Sequence, residues 1–169
     1  MIFEALSNKH LDLLFKFELE NREWFETLIS SRGNDFYTDY GIQKHVSNCL
    51  SDAELGKGYA GVLIENGCVV ARGNLKDICT EYQSCSVGYR VAKNSIGKGY
   101  ASYCLAELIR KANLSFSIDV IEAQVLDNNP TSKAVLEKLG FKMTAYELNF
   151  TELNGIALGC TTLKYVSAR

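Results

Sequence analysis

Residues 88–101 read Gly-Tyr-Arg-Val-Ala-Lys-Asn-Ser-Ile-Gly-Lys-Gly-Tyr-Ala, and this stretch decides how the middle of the chain folds. Alternating residues predict a β-strand over 85–91, and periodic apolar residues predict a helix over 99–113. Glycines at 97 and 99 leave room for a ligand to approach the backbone between these two elements. Because a helix N-terminus offers unpaired N–H groups and a positive dipole end, the stretch predicts a phosphate-sized anion site.

The pentapeptide Gly-Lys-Gly-Tyr-Ala occurs a second time, at residues 56–60. There it follows a helical pattern that Gly56 is suited to end, and it leads into a strand. Only the copy at 97–101 therefore lies at a helix N-terminus and can hold a phosphate in this way. Lys98 in that copy either adds a point charge for the phosphate or lies in solvent, as loop lysines commonly do.

The composition limits the classes of protein to which the chain can belong. With 169 residues it fits one domain, residues 1–169, and a formal net charge of -2 argues against a nucleic-acid partner. The six cysteines form no CxxC pair and only two histidines are present, so no metal is expected. Without a signal-peptide pattern or a membrane-length apolar run, the chain is expected to be cytoplasmic, with no membrane partner.

Hydrophobic periodicity and turn residues divide the chain into strands and helices. Asn-Gly pairs at 66–67 and 154–155 each predict a tight hairpin, and Asn129 followed by Pro130 predicts a helix start. The order of elements predicts a mixed α/β sheet with helices on both faces. The expected strands are 2–6, 59–65, 68–77, 85–91, 120–126, 143–153 and 156–166, and the expected helices are 8–19, 21–28, 42–56, 99–113 and 130–140.

Two common nucleotide-binding motifs do not match the glycine loop. The Walker A motif requires Ser or Thr after its lysine, but Gly99 follows Lys98. The dinucleotide fingerprint requires a third glycine where Ser102 stands, if counting starts at Gly97. The loop therefore belongs to another kind of anion site.

A second motif covers residues 129–141, which read Asn-Pro-Thr-Ser-Lys-Ala-Val-Leu-Glu-Lys-Leu-Gly-Phe. Together with Val-Gly-Tyr-Arg-Val at 87–91 and the loop at 97–101, it resembles the GNAT superfamily of acyl-CoA-dependent N-acyltransferases. The branch it resembles contains the ribosomal-protein N-terminal alanine and serine acetyltransferases, and Glu-Asn-Arg-Glu-Trp at 20–24 is also similar to that branch. The resemblance covers most of the chain and is weakest over residues 30–58.

This resemblance implies a fold, a co-substrate and a set of site residues. The fold is a mostly antiparallel sheet of about seven strands, splayed between the fourth and fifth strands. The co-substrate is acetyl-CoA, whose pyrophosphate binds the loop amides and whose pantetheine arm pairs with the strand that ends at Val91. Asn129 would contact the arm, and Ser132 would be the catalytic general acid. The implied coenzyme A contacts are Tyr89, Arg90, Val91, Ile96, Gly97, Lys98, Gly99, Tyr100, Ala101, Asn129 and Ser132.

The residues leave simpler roles open for two of these side chains. Asn129 can act as an N-cap alone, and Ser132 can bond its own backbone in the first helical turn. Three positions depart from the wider family, with Ile96 in place of a polar residue, Ser86 in place of a glutamate and Leu136 in place of a tyrosine. The missing glutamate leaves the general base unassigned.

Several acidic residues are candidates for recognising or deprotonating the amine. Glu147 and Glu152 on the penultimate strand are substitute bases, and strand alternation places them on opposite faces. The glutamates at 18, 20, 23 and 26 either attract a cationic amine or, as is more common, form a solvated helix face.

The expected reaction is acetyl transfer from acetyl-CoA to a primary amine, with a main-chain N–H near Val91 stabilising the oxyanion. The favoured acceptor is the N-terminal amine of a protein or peptide, and a polyamine or an antibiotic amine is the alternative. Two other classes stay open, a coenzyme A sensor without activity and a binder of a plain nucleotide diphosphate. A homodimer is common for such folds, but no pattern in this sequence selects it.

Overall fold

The structure, a computed structural model, describes residues 1–167, and its strands form one seven-stranded sheet. Their order across the sheet is 1-2-3-4-5-7-6, and every neighbouring pair is antiparallel except the fourth and fifth. The last two residues of the predicted domain lie outside the described residues. The strands are β1 (Ile2–Ala5), β2 (Tyr59–Glu65), β3 (Cys68–Cys79), β4 (Ser84–Val91), β5 (Val120–Leu126), β6 (Lys142–Leu153) and β7 (Ile156–Val166).

Helices cover both faces of this sheet, as predicted. They are α1 (Leu11–Glu20), α2 (Arg22–Glu26), α3 (Asp39–Glu54), α4 (Tyr100–Phe116) and α5 (Pro130–Lys138). One buried cluster lies between the sheet and α4, and a second lies between the sheet and the pair α1 and α3. Val62 and Leu63, neighbours on β2, belong to different clusters because successive strand residues point to opposite faces. Within residues 1–167, no helix is both long enough and apolar enough to cross a bilayer.

Both predicted hairpins form around their Asn-Gly pairs. The φ angles are 50° and 75° at Asn66 and Gly67, and 52° and 77° at Asn154 and Gly155. Two consecutive positive φ angles are what a type I′ turn requires, and its twist matches that of the strands it joins. The first turn connects β2 to β3 and the second connects β6 to β7.

Two early helices differ from the prediction at their ends. The helix expected from residue 8 begins as a 3-10 turn at Asn8–His10, where the buried His10 Nδ1 accepts a hydrogen bond from the Ser7 N–H at 3.1 Å. The helix expected to reach residue 28 ends at Glu26, because the Thr27 hydroxyl donates to the Trp24 carbonyl at 2.7 Å. Side-chain hydrogen bonds of this kind compete with helical ones and are hard to predict from periodicity.

The predicted splay between the fourth and fifth strands is confirmed. β4 and β5 pair only at three positions, the last of which joins Ser86 to Glu122. Beyond that point β4 stays paired with β3 as far as Val91, and β5 stays paired with β7 as far as Leu126. A gap therefore opens between the carboxyl-terminal halves of β4 and β5, and this gap positions the site.

Candidate active site

Two cavities meet at the gap between β4 and β5. The first, which we call the loop cavity, has a volume of about 350 Å³ and lies beside the glycine loop and the start of α5. The second, which we call the arginine cavity, has a volume of about 230 Å³ and lies beside β3, β4 and β5. The lining residues that they share are Leu28, Ile29, Tyr89, Arg90, Asn129 and Ser132.

The loop cavity brings together ten of the eleven residues predicted to contact coenzyme A. They come from the end of β4, from the glycine loop and from the start of α5. Lys98 is the exception, since it is exposed and does not line the cavity. Trp24 and Phe25 form part of the lining from α2, in agreement with the resemblance noted over residues 20–24.

The glycine loop presents free backbone donors at the start of α4. Gly97 and Gly99 have φ angles of 78° and 82°, and a Cβ built on either would meet no atom within 4 Å. Gly99 is the N-cap, and within residues 1–167 the N–H groups of residues 99–102 find no acceptor. Ile96, which lines the cavity, is 45% exposed and has an apolar side chain, so the donors that the loop offers to an anion are backbone N–H groups.

The first copy of the glycine motif has no such donors. Gly56 also has a positive φ, of 69°, and an open Cβ position. Its N–H donates to the Ala53 carbonyl, and the N–H groups of Lys57 and Gly58 both donate to the Asp52 carbonyl. The amides of this copy therefore donate to the carbonyl groups at the end of α3. This agrees with the prediction that only the copy at 97–101 has N–H groups free for a phosphate.

Backbone and amide groups flank the gap itself. Because the Ala92 N–H donates to Val70 of β3, alternation along β4 turns the N–H groups of Tyr89 and Val91 toward the gap. On the α5 side, the Asn129 Oδ1 accepts from the Ser132 N–H at 3.1 Å, so Asn129 is an N-cap. Its amide nitrogen has no partner within residues 1–167 and stays available to a ligand.

Asn128 is a cavity residue that the sequence analysis missed. Its side-chain nitrogen donates to the Thr27 carbonyl at 2.7 Å, which ties the start of α5 to the end of α2. Its Oδ1 is buried and has no hydrogen-bond partner in the described part of the chain. A buried acceptor of this kind is costly unless a donor reaches it, and the amide N–H groups of a pantetheine arm are suitable donors.

Two hydroxyl groups meet where the cavities join. The Tyr89 hydroxyl lies 2.9 Å from the Ser132 Oγ and also donates to the Ser132 carbonyl at 3.2 Å. Burial raises the pKa of Tyr89 to about 12, so the phenol is neutral and can donate near neutral pH. Sequence analysis identified Ser132 but assigned only main-chain contacts near Tyr89, because nothing in the sequence shows that the two side chains meet.

An ion-pair cluster forms one wall of the arginine cavity. Arg72 and Arg90 are cross-strand neighbours on β3 and β4, and like charges in that relation repel. The fully buried Glu18 of α1 bridges them, with Oε1 2.7 Å from Arg72 Nη1 and Oε2 2.9 Å from Arg90 Nη1. The expectation of a solvated acidic helix face is therefore wrong for Glu18, whose carboxylate compensates buried positive charge.

Charge around the cluster fixes the protonation of its members. Burial opposes the ionisation of Glu18, but the charges of Arg90, Arg72 and Arg32 outweigh it and lower its pKa. Burial, followed by the charge of Arg72, lowers the pKa of His45 to about 3. His45 is therefore neutral, and its Nε2 accepts from Arg72 Nη2 at 2.7 Å.

The remaining charges of the arginine cavity are also positive. Arg32 and Lys76 line it together with Arg72 and Arg90, and no acidic residue does. Arg32 lies in the segment between α2 and α3, where the resemblance is weakest and the periodicity gives no signal. Glu122 belongs to the last residue pair that joins β4 and β5 before the gap opens. Its carboxylate is already in an ion pair with Lys164, at 3.2 Å.

The two predicted substitute bases do not reach the site. Glu147 and Glu152 are exposed on the edge strand β6 and line neither cavity. A register shift between Glu147 and Thr151 also interrupts the alternation on which their placement was based. Within residues 1–167, no group of three or more His, Cys, Asp or Glu side chains could hold a metal ion.

Comparisons with known proteins agree with the fold and the motifs. The family model described as the acetyltransferase (GNAT) domain matches residues 1–142. The chain is 26% identical over 140 residues to the probable N-acetyltransferase YjcK of Bacillus subtilis (strain 168), covering 81% of this chain and 77% of that protein.

Solved structures share this fold over nearly the whole chain. The ribosomal-protein-S5-alanine acetyltransferase of Vibrio fischeri has a TM-score of 0.91 and 16% identity, covering 97% of this chain and 91% of the other. RimJ of Mycobacterium smegmatis, solved in complex with CoA-disulfide, has a TM-score of 0.88 and 20% identity, covering 98% and 81%. Identities this low show the shared fold and do not select an acceptor. The family match over residues 1–142 confirms the resemblance seen in the two motifs: the chain belongs to the GNAT acetyltransferase family, whose acyl donor is acetyl-CoA.

Proposed function

We propose that this enzyme transfers the acetyl group of acetyl-CoA to the α-amino group of a protein or peptide. The observation that carries the proposal is the arginine cavity, which surrounds an incoming amine with positive charge and offers it no free carboxylate. A polyamine is a poor occupant of such a cavity, because its several ammonium groups would be repelled by the arginines.

No side chain at the junction of the cavities is suited to remove a proton from an ammonium group. The Glu18 carboxylate is held by two arginines with a lowered pKa, and His45 has a pKa of about 3. The acceptor must therefore arrive with its amine already neutral. An α-amine, with a pKa of about 7.7 to 8.0, is roughly one-third neutral at pH 7.5, whereas about 0.1% of a lysine side chain with a pKa of about 10.4 is neutral.

The loop cavity is proposed to hold the acyl donor. The amides of residues 97–101 would bind the pyrophosphate, since the Ile96 N–H donates to the Lys93 carbonyl at 3.4 Å, and Asn128 and Asn129 would contact the pantetheine arm. The N–H groups of Tyr89 and Val91 are directed into the gap, where they would pair with the arm and stabilise the oxyanion. Lys98, outside the cavity lining, would add only long-range attraction for the phosphates.

The chemistry requires one bond to form and one to break. The neutral nitrogen attacks the thioester carbonyl, and the tetrahedral intermediate loses a proton from nitrogen to water. The carbonyl then re-forms as the C–S bond breaks, and the departing sulfur takes a proton from the Ser132 hydroxyl. The Tyr89 hydroxyl, 2.9 Å from Ser132 Oγ, turns its proton from the Ser132 carbonyl to Oγ and returns it to Ser132. Tyr89 regains a proton from the water that accepted one from the nitrogen, and its raised pKa keeps it protonated between turnovers.

One assay with three acceptors distinguishes an α-amine acceptor from a polyamine. A tetrapeptide with a free α-amine and no lysine is compared with the same peptide Nα-formylated and carrying one lysine, and with spermidine. Thiol release from acetyl-CoA at pH 7.5 should give a kcat/KM about 300-fold higher for the free α-amine than for the lysine peptide, from the neutral fractions alone. Mass spectrometry should place the acetyl group on the terminal nitrogen. An equal or higher kcat/KM for spermidine would reject an α-amine acceptor.

A further inference from the structure

The arginine cavity carries more positive charge than its described surroundings compensate. Four cationic side chains line it, and the carboxylate that touches two of them, Glu18, already has both oxygens occupied. Arg72 and Arg90 therefore have their charge partner within the fold. The other two cations, Arg32 and Lys76, make no close ion pair within residues 1–167, although the charge of Glu18 also reaches Arg32.

Arg32 and Lys76 are free donors on the cavity wall. Within residues 1–167 neither makes a hydrogen bond or an ion pair, and the recorded contact of the Arg32 guanidinium is the Phe36 ring, 4.5 Å from its centroid. The cation–π contact with that ring leaves the guanidinium N–H groups unpaired. A guanidinium held in this way is pre-organised for a bidentate anion such as a carboxylate or a phosphoryl group.

The three arginines lie close enough to act on one another, and Lys76 acts with them on His45. All of them contribute to the low pKa of His45, and the charge of Arg72, after burial, lowers the pKa of Arg32. Keeping like charges together costs free energy in the unliganded protein. An anion bound in the cavity removes part of that cost, so the arrangement favours an anionic ligand.

The cavity also limits where the anionic group lies on the ligand. Its volume is about 230 Å³, and it shares Tyr89, Ser132 and Asn129 with the loop cavity. A cavity of this size accommodates the first one or two residues of a peptide and not an extended segment. The anionic group must therefore lie within a few bonds of the amine that is acetylated.

Building on the proposed function, we infer that the acceptor carries a carboxylate or phosphoryl group in its first two residues, and that Arg32 and Lys76 bind it. These two residues act as specificity determinants on the substrate and take no part in the chemical step. Their contribution is consequently to acceptor KM, with little change in kcat.

Five peptides that differ only at the second residue test this assignment. Aspartate, phosphoserine, asparagine, serine and lysine are placed after an N-terminal alanine, and kcat and KM for acetylation are measured with each. For the wild-type enzyme we expect kcat/KM about tenfold higher for aspartate than for asparagine, through KM. Comparing the phosphoserine peptide with the serine peptide shows whether a phosphoryl group raises kcat/KM as much as a carboxylate does.

Substitutions of Arg32 and Lys76 test whether these two cations cause the preference for aspartate. Arg32→Gln and Lys76→Gln should each reduce the preference for aspartate over asparagine several-fold. Arg32→Glu should reverse the preference, so that the lysine peptide becomes the better acceptor. Lys16→Gln is the control, because Lys16 is exposed and lines neither cavity, and it should leave the preference unchanged. Equal kcat/KM for aspartate and asparagine in the wild type, or a preference insensitive to both variants, overturns the inference. Acetylation of all five peptides without preference would leave the proposed function intact, whereas acetylation of none would reject both.

Discussion

Replacing Ser132 with Ala should lower acetyl transfer about 100-fold and leave coenzyme A affinity within about twofold. A positioned general acid contributes roughly 10²–10⁴-fold to a rate, and Ser132 Oγ is the hydroxyl at the junction of the two cavities. The substitution should not disturb α5, because the N-cap bond uses the Ser132 N–H and not its hydroxyl. Single-turnover kinetics and calorimetry with coenzyme A measure the two quantities separately.

A double-mutant cycle with Tyr89→Phe shows whether the two hydroxyls act together. Tyr89→Phe alone should lower the rate about tenfold, because the 2.9 Å hydrogen bond to Ser132 Oγ is lost. In the Ser132→Ala background the same change should have almost no further effect. Tyr82→Phe, at a position that is 74% exposed, is the matched control. An unchanged rate in Ser132→Ala would exclude Ser132 as the general acid.

The second large effect is on stability and concerns the buried ion-pair cluster. Glu18→Gln should lower the free energy of unfolding by about 3 to 5 kcal/mol, because it leaves two buried arginines without a counter-charge. Glu20→Gln is the control on the same helix, since Glu20 is 61% exposed and its nitrogen partner on Lys16 is 3.9 Å away. That change should cost no more than about 1 kcal/mol. Urea denaturation of the three proteins gives the comparison.

The pH dependence of stability provides a second test of the Glu18 bridge, made on the wild type and the Glu18→Gln variant together. The pKa of Glu18 is lower in the folded protein than in the unfolded chain, so the ionised carboxylate contributes its full stability above about pH 4.3. That contribution is lost as pH falls below this value and passes through the lowered pKa. The wild type should lose stability more steeply than the variant in this range. Parallel pH profiles would show that Glu18 is not the ionised bridge.

Sequence periodicity predicted most of the fold because the local signals agree with the tertiary structure. Both Asn-Gly hairpins, the helix after Gly99 and the helix after Asn129 form as expected, within a few residues at their ends. In each case the turn or cap chemistry and the apolar pattern point to the same element. The single domain stays a prediction, and the homodimer stays an open alternative that no pattern in the sequence selects.

The donor side of the site was predictable and the acceptor side was not. Most residues around the loop cavity occupy two continuous motifs, and the resemblance of those motifs to the GNAT family implied their coenzyme A contacts. The arginine cavity instead combines Arg32 from an irregular segment, Arg72 and Lys76 from β3, and Glu18 from α1. These positions are up to 58 residues apart in sequence, and no local pattern brings them together. The same limit explains why Glu18 was expected in solvent and why Tyr89 was not paired with Ser132.

The two-cavity arrangement is tested most directly by a calorimetric titration with one molecule that fills both cavities. In this conjugate the coenzyme A sulfur is joined through –CH₂–CO– to the α-nitrogen of an Ala-Asp peptide. We expect it to bind about 100-fold more tightly than coenzyme A, because the second contact becomes intramolecular. Gly97→Ala should weaken both ligands about tenfold, since Gly97 lines the loop cavity with a left-handed backbone and a Cβ there would occupy open space beside the ligand.

Gly56→Ala is the matched control. Gly56 has a left-handed φ and an open Cβ position like those of Gly97, but it lies in the first copy of the motif, where the N–H groups already donate to carbonyls of α3. It should carry a similar cost in stability and leave both affinities unchanged. A conjugate that binds no more tightly than coenzyme A, or equal losses of affinity in Gly97→Ala and Gly56→Ala, would contradict the assignment of the two cavities to the two ends of one reaction.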